Sequence, residues 1–133
     1  MTLRLSYDTS DFQFDRIVPV LQDMYWAKGR DAAAIRAAIL NSHAVGLFDG
    51  ARQLGMARAI SDQVYHAYIY DLFVFEEARG KGHSRRLLDG LMSHPDLKDV
   101  PGWMLSTRDA HGLYEKYGFQ TSDPNRVMWL KRA

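Results

Sequence analysis

Phe75-Glu76-Glu77-Ala78-Arg79-Gly80-Lys81-Gly82-His83-Ser84-Arg85-Arg86-Leu87-Leu88 passes from an apolar strand end, through a glycine-rich basic turn, into the apolar spacing of a helix. Gly80 and Gly82 permit positive φ and let a ligand approach the backbone closely. The first N–H groups of the following helix have no partners inside it and point outward, so turn and helix together form a cradle for an anion. Arg79, Lys81, Arg85 and Arg86 crowd that helix start. Exposed cations there oppose the helix dipole by about 0.3–1 kcal/mol each, so stability alone favours Asp or Glu, and a bound phosphate reverses the sign. The competing reading of the segment is a solvated basic turn.

Working outward, residues 65–75 are rich in aromatic and β-branched types and predict a long strand leading into the turn. Before it, residues 44–48 and 54–60 predict two strands joined at Asp49-Gly50, a hairpin signal. One face of residues 54–60 carries only Gly55, Ala57 and Ala59, so another element must pack close against it. At the start of the chain, Leu3 to Tyr7 alternates as a strand. A helix is expected over residues 15–25, with Pro19 in its first turn where a missing N–H is tolerated. A second helix, residues 32–41, follows a cap at Asp31. Past the turn, Leu87, Leu88, Leu91 and Met92 mark a helix that ends before Pro95. Residues 103–107 read as a short strand, Ala110, Leu113, Tyr114 and Tyr117 as a helical stripe, and residues 127–131 as a last strand. The predicted order, β-αα-βββ-α-β-α-β, gives an α/β fold: a mixed, mostly antiparallel sheet of 6–7 strands flanked by about four helices.

The length of 133 residues fits one domain, residues 1–133. A net charge of +1 supplies no global field for nucleic acid or an anionic membrane. With no cysteine there can be no disulfide, thiol nucleophile or thiolate-bound zinc. The five histidines, His43, His66, His83, His94 and His111, form no H-x-x-x-H pair, and no metal is expected. No apolar run approaches the ~20 residues of a membrane span, and the N-terminal residues lack a signal-peptide core, so a cytoplasmic location is expected.

The phosphate ligand is narrowed by spacing. A Walker loop needs G-x-x-x-x-G-K-[ST], and a dinucleotide turn needs G-x-G-x-x-G; neither fits, because Arg85 stands where the third glycine belongs. The segment Arg79-Gly80-Lys81-Gly82-His83-Ser84 resembles instead the pyrophosphate loop Q/R-x-x-G-x-G/A of the GNAT superfamily of N-acetyltransferases, matching at Arg79 and Gly82, with Ser84 in place of the final Gly or Ala. Asp71-Leu72-Phe73-Val74 looks like that family's fourth strand, with Glu76 where a Pro often stands. Ala110-His111-Gly112-Leu113-Tyr114-Glu115-Lys116-Tyr117-Gly118-Phe119 resembles its A-x-x-L-Y-x-K-x-G-F segment, with Thr107 in place of the Asn that often opens it.

The resemblance implies a single-domain GNAT-like fold that transfers an acetyl group from acetyl-CoA to a primary amine by direct attack. It implies that Leu72, Phe73 and Val74 meet the pantetheine arm, and that Arg79, Gly80, Lys81, Gly82, His83, Ser84 and Arg85 hold the pyrophosphate. The first two helices border the acceptor in this family, so Tyr25 and Trp26 are expected to bind substrate, core packing being the alternative. The acceptor would be a small-molecule or peptide amine, and the protein a monomer or homodimer with no nucleic-acid or membrane partner.

An alkyl amine with a pKa near ~10.4 exposes its lone pair at pH 7 at a cost of about 4.6 kcal/mol, which makes a base useful. The leaving thiolate, near ~8.5, needs a donor, and the family motif puts Tyr114 there. Full proton transfer from a phenol near ~10 is uphill by about 2 kcal/mol, so Tyr114 is expected to stabilise charge on sulfur first and give up its proton late. Periodicity alone makes Tyr114 a core residue. Asp71 falls in an apolar row with Ile69, Phe73 and Phe75 if the strand is unbroken, and such a carboxylate needs a raised pKa or a dedicated partner. It is a candidate for the base or for binding the acceptor's ammonium; a β-bulge would turn it away. Two other readings fit the same residues: a non-catalytic acyl-CoA-binding module, and a small phosphate- or nucleic-acid-binding α/β protein.

Overall fold

The computed structural model describes residues 2–24 and 29–132. Five strands form one sheet in chain order: β1 Leu3–Ser6, β2 His43–Asp49, β3 Arg52–Ser61, β4 His66–Val74 and β5 Gly102–Met104. The first four are antiparallel neighbours, and β5 runs parallel to β4. Helices α1 (Phe14–Asp23) and α2 (Ala32–Leu40) cover one face, with Ile17, Leu21, Ile35 and Ile39 packed on Phe48, Met56, Phe73 and Phe75. Helix α3 (His83–Met92) and the short α4 (His111–Glu115) lie with the other core, where Leu87, Leu88, Leu91 and Tyr114 join Val45, Leu47, Ala57, Ala59 and Ala67. The small-residue face of β3 is thus where α3 packs close. A Cβ on Gly55 would stand 2.5 Å from the Phe73 carbonyl oxygen and 3.0 Å from Leu87 Cδ1.

Local chemistry fixes the elements. Asp31 caps α2 by accepting from the Ala34 N–H. The β2–β3 turn closes at Asp49-Gly50, with Gly50 at φ 59°. Gln13 and Gln53 bond reciprocally, side-chain oxygen to backbone N–H, at 2.8 and 3.1 Å. That anchor starts α1 at Phe14, so Pro19 lies inside the helix and not in its first turn as expected.

Two expectations about strands are corrected. Among the described residues the sheet has five strands, not six or seven. Residues 127–131 pair with nothing: Val127, Met128, Trp129 and Leu130 are each more than 70% exposed, and a run apolar on both sides has no single face to bury. The strand expected over 103–107 stops at Met104, because β5 parts from β4 there. No described helix is long and apolar enough to cross a membrane.

Candidate active site

The site begins where β4 loses a neighbour. His66, Ala67 and Tyr68 pair with Gly102, Trp103 and Met104 of β5, and the ladder ends. One step further, Met56 and Arg58 of β3 face Phe73 and Tyr70, so Asp71 and Leu72 both stand opposite Ala57. That is a β-bulge, with Asp71 in the left-handed region at φ 51°. Past Tyr68 β4 and β5 no longer pair, and a cavity of about 540 Å³ lies beside that stretch.

The cavity borders both faces of the sheet. Leu72, Ala110, Leu113 and Tyr114 line it from the α3/α4 core, together with Ser84 at the start of α3. Tyr68, Tyr70, Asp71 and Arg30 line it as well. Tyr70 and Asp71 are held against Arg58, whose neighbours Ala57 and Ala59 face the α3 core, so these groups belong to the α1/α2 face. One cavity is therefore lined by groups from both faces of the sheet.

At the α3 end the cradle has the expected form. Gly80 and Gly82 sit at φ 81° and 77°, and a Cβ on either would meet nothing within 4 Å. Gly82 is the N-cap of α3 and no side chain caps the helix, so its first N–H groups stay available to a ligand. Arg79 ties the loop down by donating from Nε to the Val74 carbonyl at 3.1 Å. Lys81 and Arg85 are exposed beside the helix start, and the Arg85 carbonyl accepts from the Tyr117 hydroxyl. His83 is buried with both ring nitrogens unpartnered among the described residues. Burial, with Arg86 and Lys81 nearby, lowers its pKa and favours the neutral ring. An uncapped helix start, open glycines and an open strand edge fit a pyrophosphate joined to a pantetheine arm. Leu72 borders the cavity, whereas Phe73 and Val74 are buried in the two cores and are not among its lining residues.

Tyr114 lies both in the core and on the wall of the cavity. Its ring packs edge-on to Phe119 at 5.7 Å within the core, and it also borders the cavity. Burial raises its phenol pKa above the ordinary 10.0. Tyr117, from the same stripe, is structural: its hydroxyl donates to Asp89 Oδ1 at 2.7 Å and pins the end of α4 to α3. Thr107 accepts the Ala110 N–H at 3.0 Å and so starts α4.

Asp71 departs from the unbroken row. The bulge leaves Ile69 in the α3 core while Phe73 and Phe75 face α1 and α2. The Asp71 side chain is 2% exposed, and Oδ2 accepts from Arg58 Nε at 2.7 Å. Arg30 Nη1 lies 3.2 Å from each of its oxygens. The dedicated partner that the sequence demanded is therefore a pair of guanidiniums. Glu77 is a loop anchor for Arg16 and Arg52. Tyr25 and Trp26 lie outside the described residues.

Sequence reasoning missed Arg30, Arg58, Tyr68, Tyr70 and Trp129. The signal for Arg58 was present: it sits in a row with Leu54, Met56 and Ile60, as Asp71 sits in an apolar row of the next strand. Opposite charges in two adjacent apolar rows mark a buried ion pair.

A sheet opened by a bulge, with an uncapped glycine-led helix at the opening and a buried tyrosine across it, defines an acyltransferase-type α/β fold. The chain belongs to the GNAT acetyltransferases: the family described as acetyltransferase (GNAT) domain matches residues 22–129. A solved protein of Xanthomonas campestris pv. campestris, belonging to the GNAT family, is 39% identical, with a TM-score of 0.91 over 99% of this chain and 94% of that one. A Staphylococcus aureus protein of unknown function is 21% identical, with a TM-score of 0.76 over 98% and 100%. Glucosamine-6-phosphate N-acetyltransferase of Arabidopsis thaliana shares the fold at 14% identity, with a TM-score of 0.67 over 99% of each chain. No curated protein matches.

Proposed function

We propose that this protein moves an acetyl group from acetyl-CoA to a primary amine by direct attack. The observation that carries the proposal is the cavity beside the unpaired stretch of β4, lined by Ser84 at the start of the uncapped helix, by charged and aromatic side chains and by Tyr114. Acetyl-CoA supplies the activated thioester. The backbone of residues 80–85 grips its pyrophosphate, and the open edge of β4 beyond residue 68 holds its extended arm. The acceptor enters from the α1/α2 side.

Tyr114 meets the departing sulfur. A phenol held above its ordinary pKa gives its proton fully to a thiolate near ~8.5 only at more than the unperturbed cost, so its main work is a hydrogen bond to developing charge. Asp71, with both oxygens on guanidiniums, acts by positioning Arg30, and the acceptor's proton leaves through solvent in the open cavity. On this reading the protein works in the cytoplasm as a monomer or homodimer on a small-molecule or peptide amine, without metal, nucleic acid or membrane.

Calorimetry with CoA and thiol release from acetyl-CoA over a panel of amines test the proposal together. CoA binding with amine-dependent thiol release is the expected result. Binding without release would leave a non-catalytic acyl-CoA module. No CoA binding by folded protein, with binding of a short duplex or inorganic phosphate, would leave a phosphate-binding α/β protein.

A further inference from the structure

Three aromatic rings that the fold does not need for its cores line the cavity. Tyr68 and Tyr70 alternate along β4 with Ala67 and Ile69, which belong to the α3 core, and their rings stack at 4.7 Å on the other face. The Tyr68 hydroxyl and Ser106 Oγ share a hydrogen bond of 2.6 Å, which fixes that ring at the cavity wall. Trp129 lines the same cavity from the C-terminal segment, with its residue 86% exposed. An indole left in water beside a stacked pair of phenols is a surface for a flat apolar group, because rings in contact attract beyond the area they bury. Charge adds a second requirement. Arg30 and Asp71 face each other across 3.2 Å at the wall. The remaining charged lining residue is Asp109, exposed in the loop before α4, on the side of the cavity where Tyr114 lies. A carboxylate there suits an ammonium. The cavity of about 540 Å³ also has to take the thioester end of the donor, which favours a compact acceptor.

Resting on the transfer reading above, we infer that the acceptor is an arylalkylamine, a primary amine on a short chain that ends in a flat ring: Tyr68, Tyr70 and Trp129 select the ring, and Asp109 draws the ammonium to the α4 side. A saturated ring of the same size buries a similar area without the ring-on-ring attraction, and a short aliphatic amine buries neither. Recognition is of the ammonium, and attack follows loss of its proton to solvent. The two ends of the ligand are read by different elements, so they can be tested apart.

The test compares 2-phenylethylamine with its saturated counterpart 2-cyclohexylethylamine and with propylamine. The parent protein is expected to favour 2-phenylethylamine in kcat/KM by about five-fold over the saturated ring and about 100-fold over propylamine. Trp129→Ala raises KM for 2-phenylethylamine about ten-fold with kcat little changed, and leaves propylamine at its parent value. CoA affinity stays at the parent value in this variant, which also shows that it is folded. Asp109→Asn lowers kcat/KM for all three amines alike, by about five-fold, and keeps the preference for the ring. Equal rates for the three amines in the parent, a ring preference unchanged in Trp129→Ala, or no effect of Asp109→Asn overturns the inference and leaves the acetyltransferase reading standing. If no amine is acetylated, calorimetry of the same amines on CoA-saturated protein decides. Binding of 2-phenylethylamine that weakens in Trp129→Ala supports the site and sinks the transfer reading; no binding at millimolar concentration sinks the site.

Discussion

The two ends of strand β4 use the same backbone for different purposes. Ala67 and Tyr68 are paired on both sides, to β3 and to β5, and the sheet is closed there. From Ile69 onward only β3 pairs with β4, and the bulge at Asp71 and Leu72 falls within that stretch. A ladder that stops leaves backbone donors and acceptors that need a partner. In this molecule the interruption also provides room, because the cavity lies in the gap. The site is thus produced by a fault in sheet pairing, held open by a buried ion pair on one face and approached by an uncapped helix on the other.

The largest effect is expected at the ion pair that holds the fault. Asp71→Asn keeps the size of the side chain and a residue type that tolerates φ 51°, but leaves Arg58 buried without its counter-charge. Breaking such a pair by removing one partner costs about 3 kcal/mol or more, to be read from urea unfolding. A loss below ~1 kcal/mol would mean that the bulge is set by backbone pairing alone.

Gly82→Val attacks the helix side of the gap. A Cβ there would meet nothing within 4 Å, yet the residue sits at φ 77° at the start of the helix that forms the cradle. Left-handed strain lowers stability by about 1–2 kcal/mol. CoA affinity, measured by calorimetry on folded variant, falls by about 100-fold, because the diphosphate can no longer approach. Unchanged affinity would move the cofactor elsewhere.

Tyr114→Phe keeps the packing on Phe119 and removes only the hydroxyl. Turnover is expected to fall about ten-fold or more with CoA affinity nearly intact. The phenol must be protonated to act, and burial raises its pKa, so the alkaline loss of rate assigned to it lies above pH 10.0 in the parent and disappears in the variant. Equal turnover in both proteins would return Tyr114 to the core alone.

Much of this half of the molecule was legible in the sequence because its signals are local. Gly80, Gly82 and the apolar spacing after them specify a turn and a helix within a few residues, and Gly55, Ala57 and Ala59 announced a close-packed face. Tyr114 was legible by motif, although its spacing alone made it core. The acceptor side was not legible, because it depends on distant pairing. Nothing near Arg30 in the chain states that it will meet residue 71. The bulge that turns Asp71 depends on which residue of β3 it faces. Residues 127–131 misled because strand propensity describes a residue and says nothing of whether a neighbouring edge exists to receive it.

The smallest effect sharpens the comparison by leaving the gap untouched. His94 is buried beside the closed part of the sheet, edge-on to Tyr7 at 4.7 Å and to His43 at 5.3 Å, with Nδ1 accepting from the Asp96 N–H. Burial first, and the neighbouring His43 second, lower its pKa in the folded protein, with Asp96 opposing. The folded state therefore resists a proton that the unfolded chain accepts near ~6.5. Stability is full above that value and declines as pH falls from it through the lowered folded pKa. His94→Gln keeps a hydrogen-bond acceptor but cannot titrate, so the acid slope of the urea midpoint should flatten in the variant. CoA affinity at pH 7 should be the same in both proteins, because this cluster shares no residue with the cavity. A variant that weakened CoA binding would show that the closed and open parts of the sheet are coupled, and the division drawn along β4 would have to be given up.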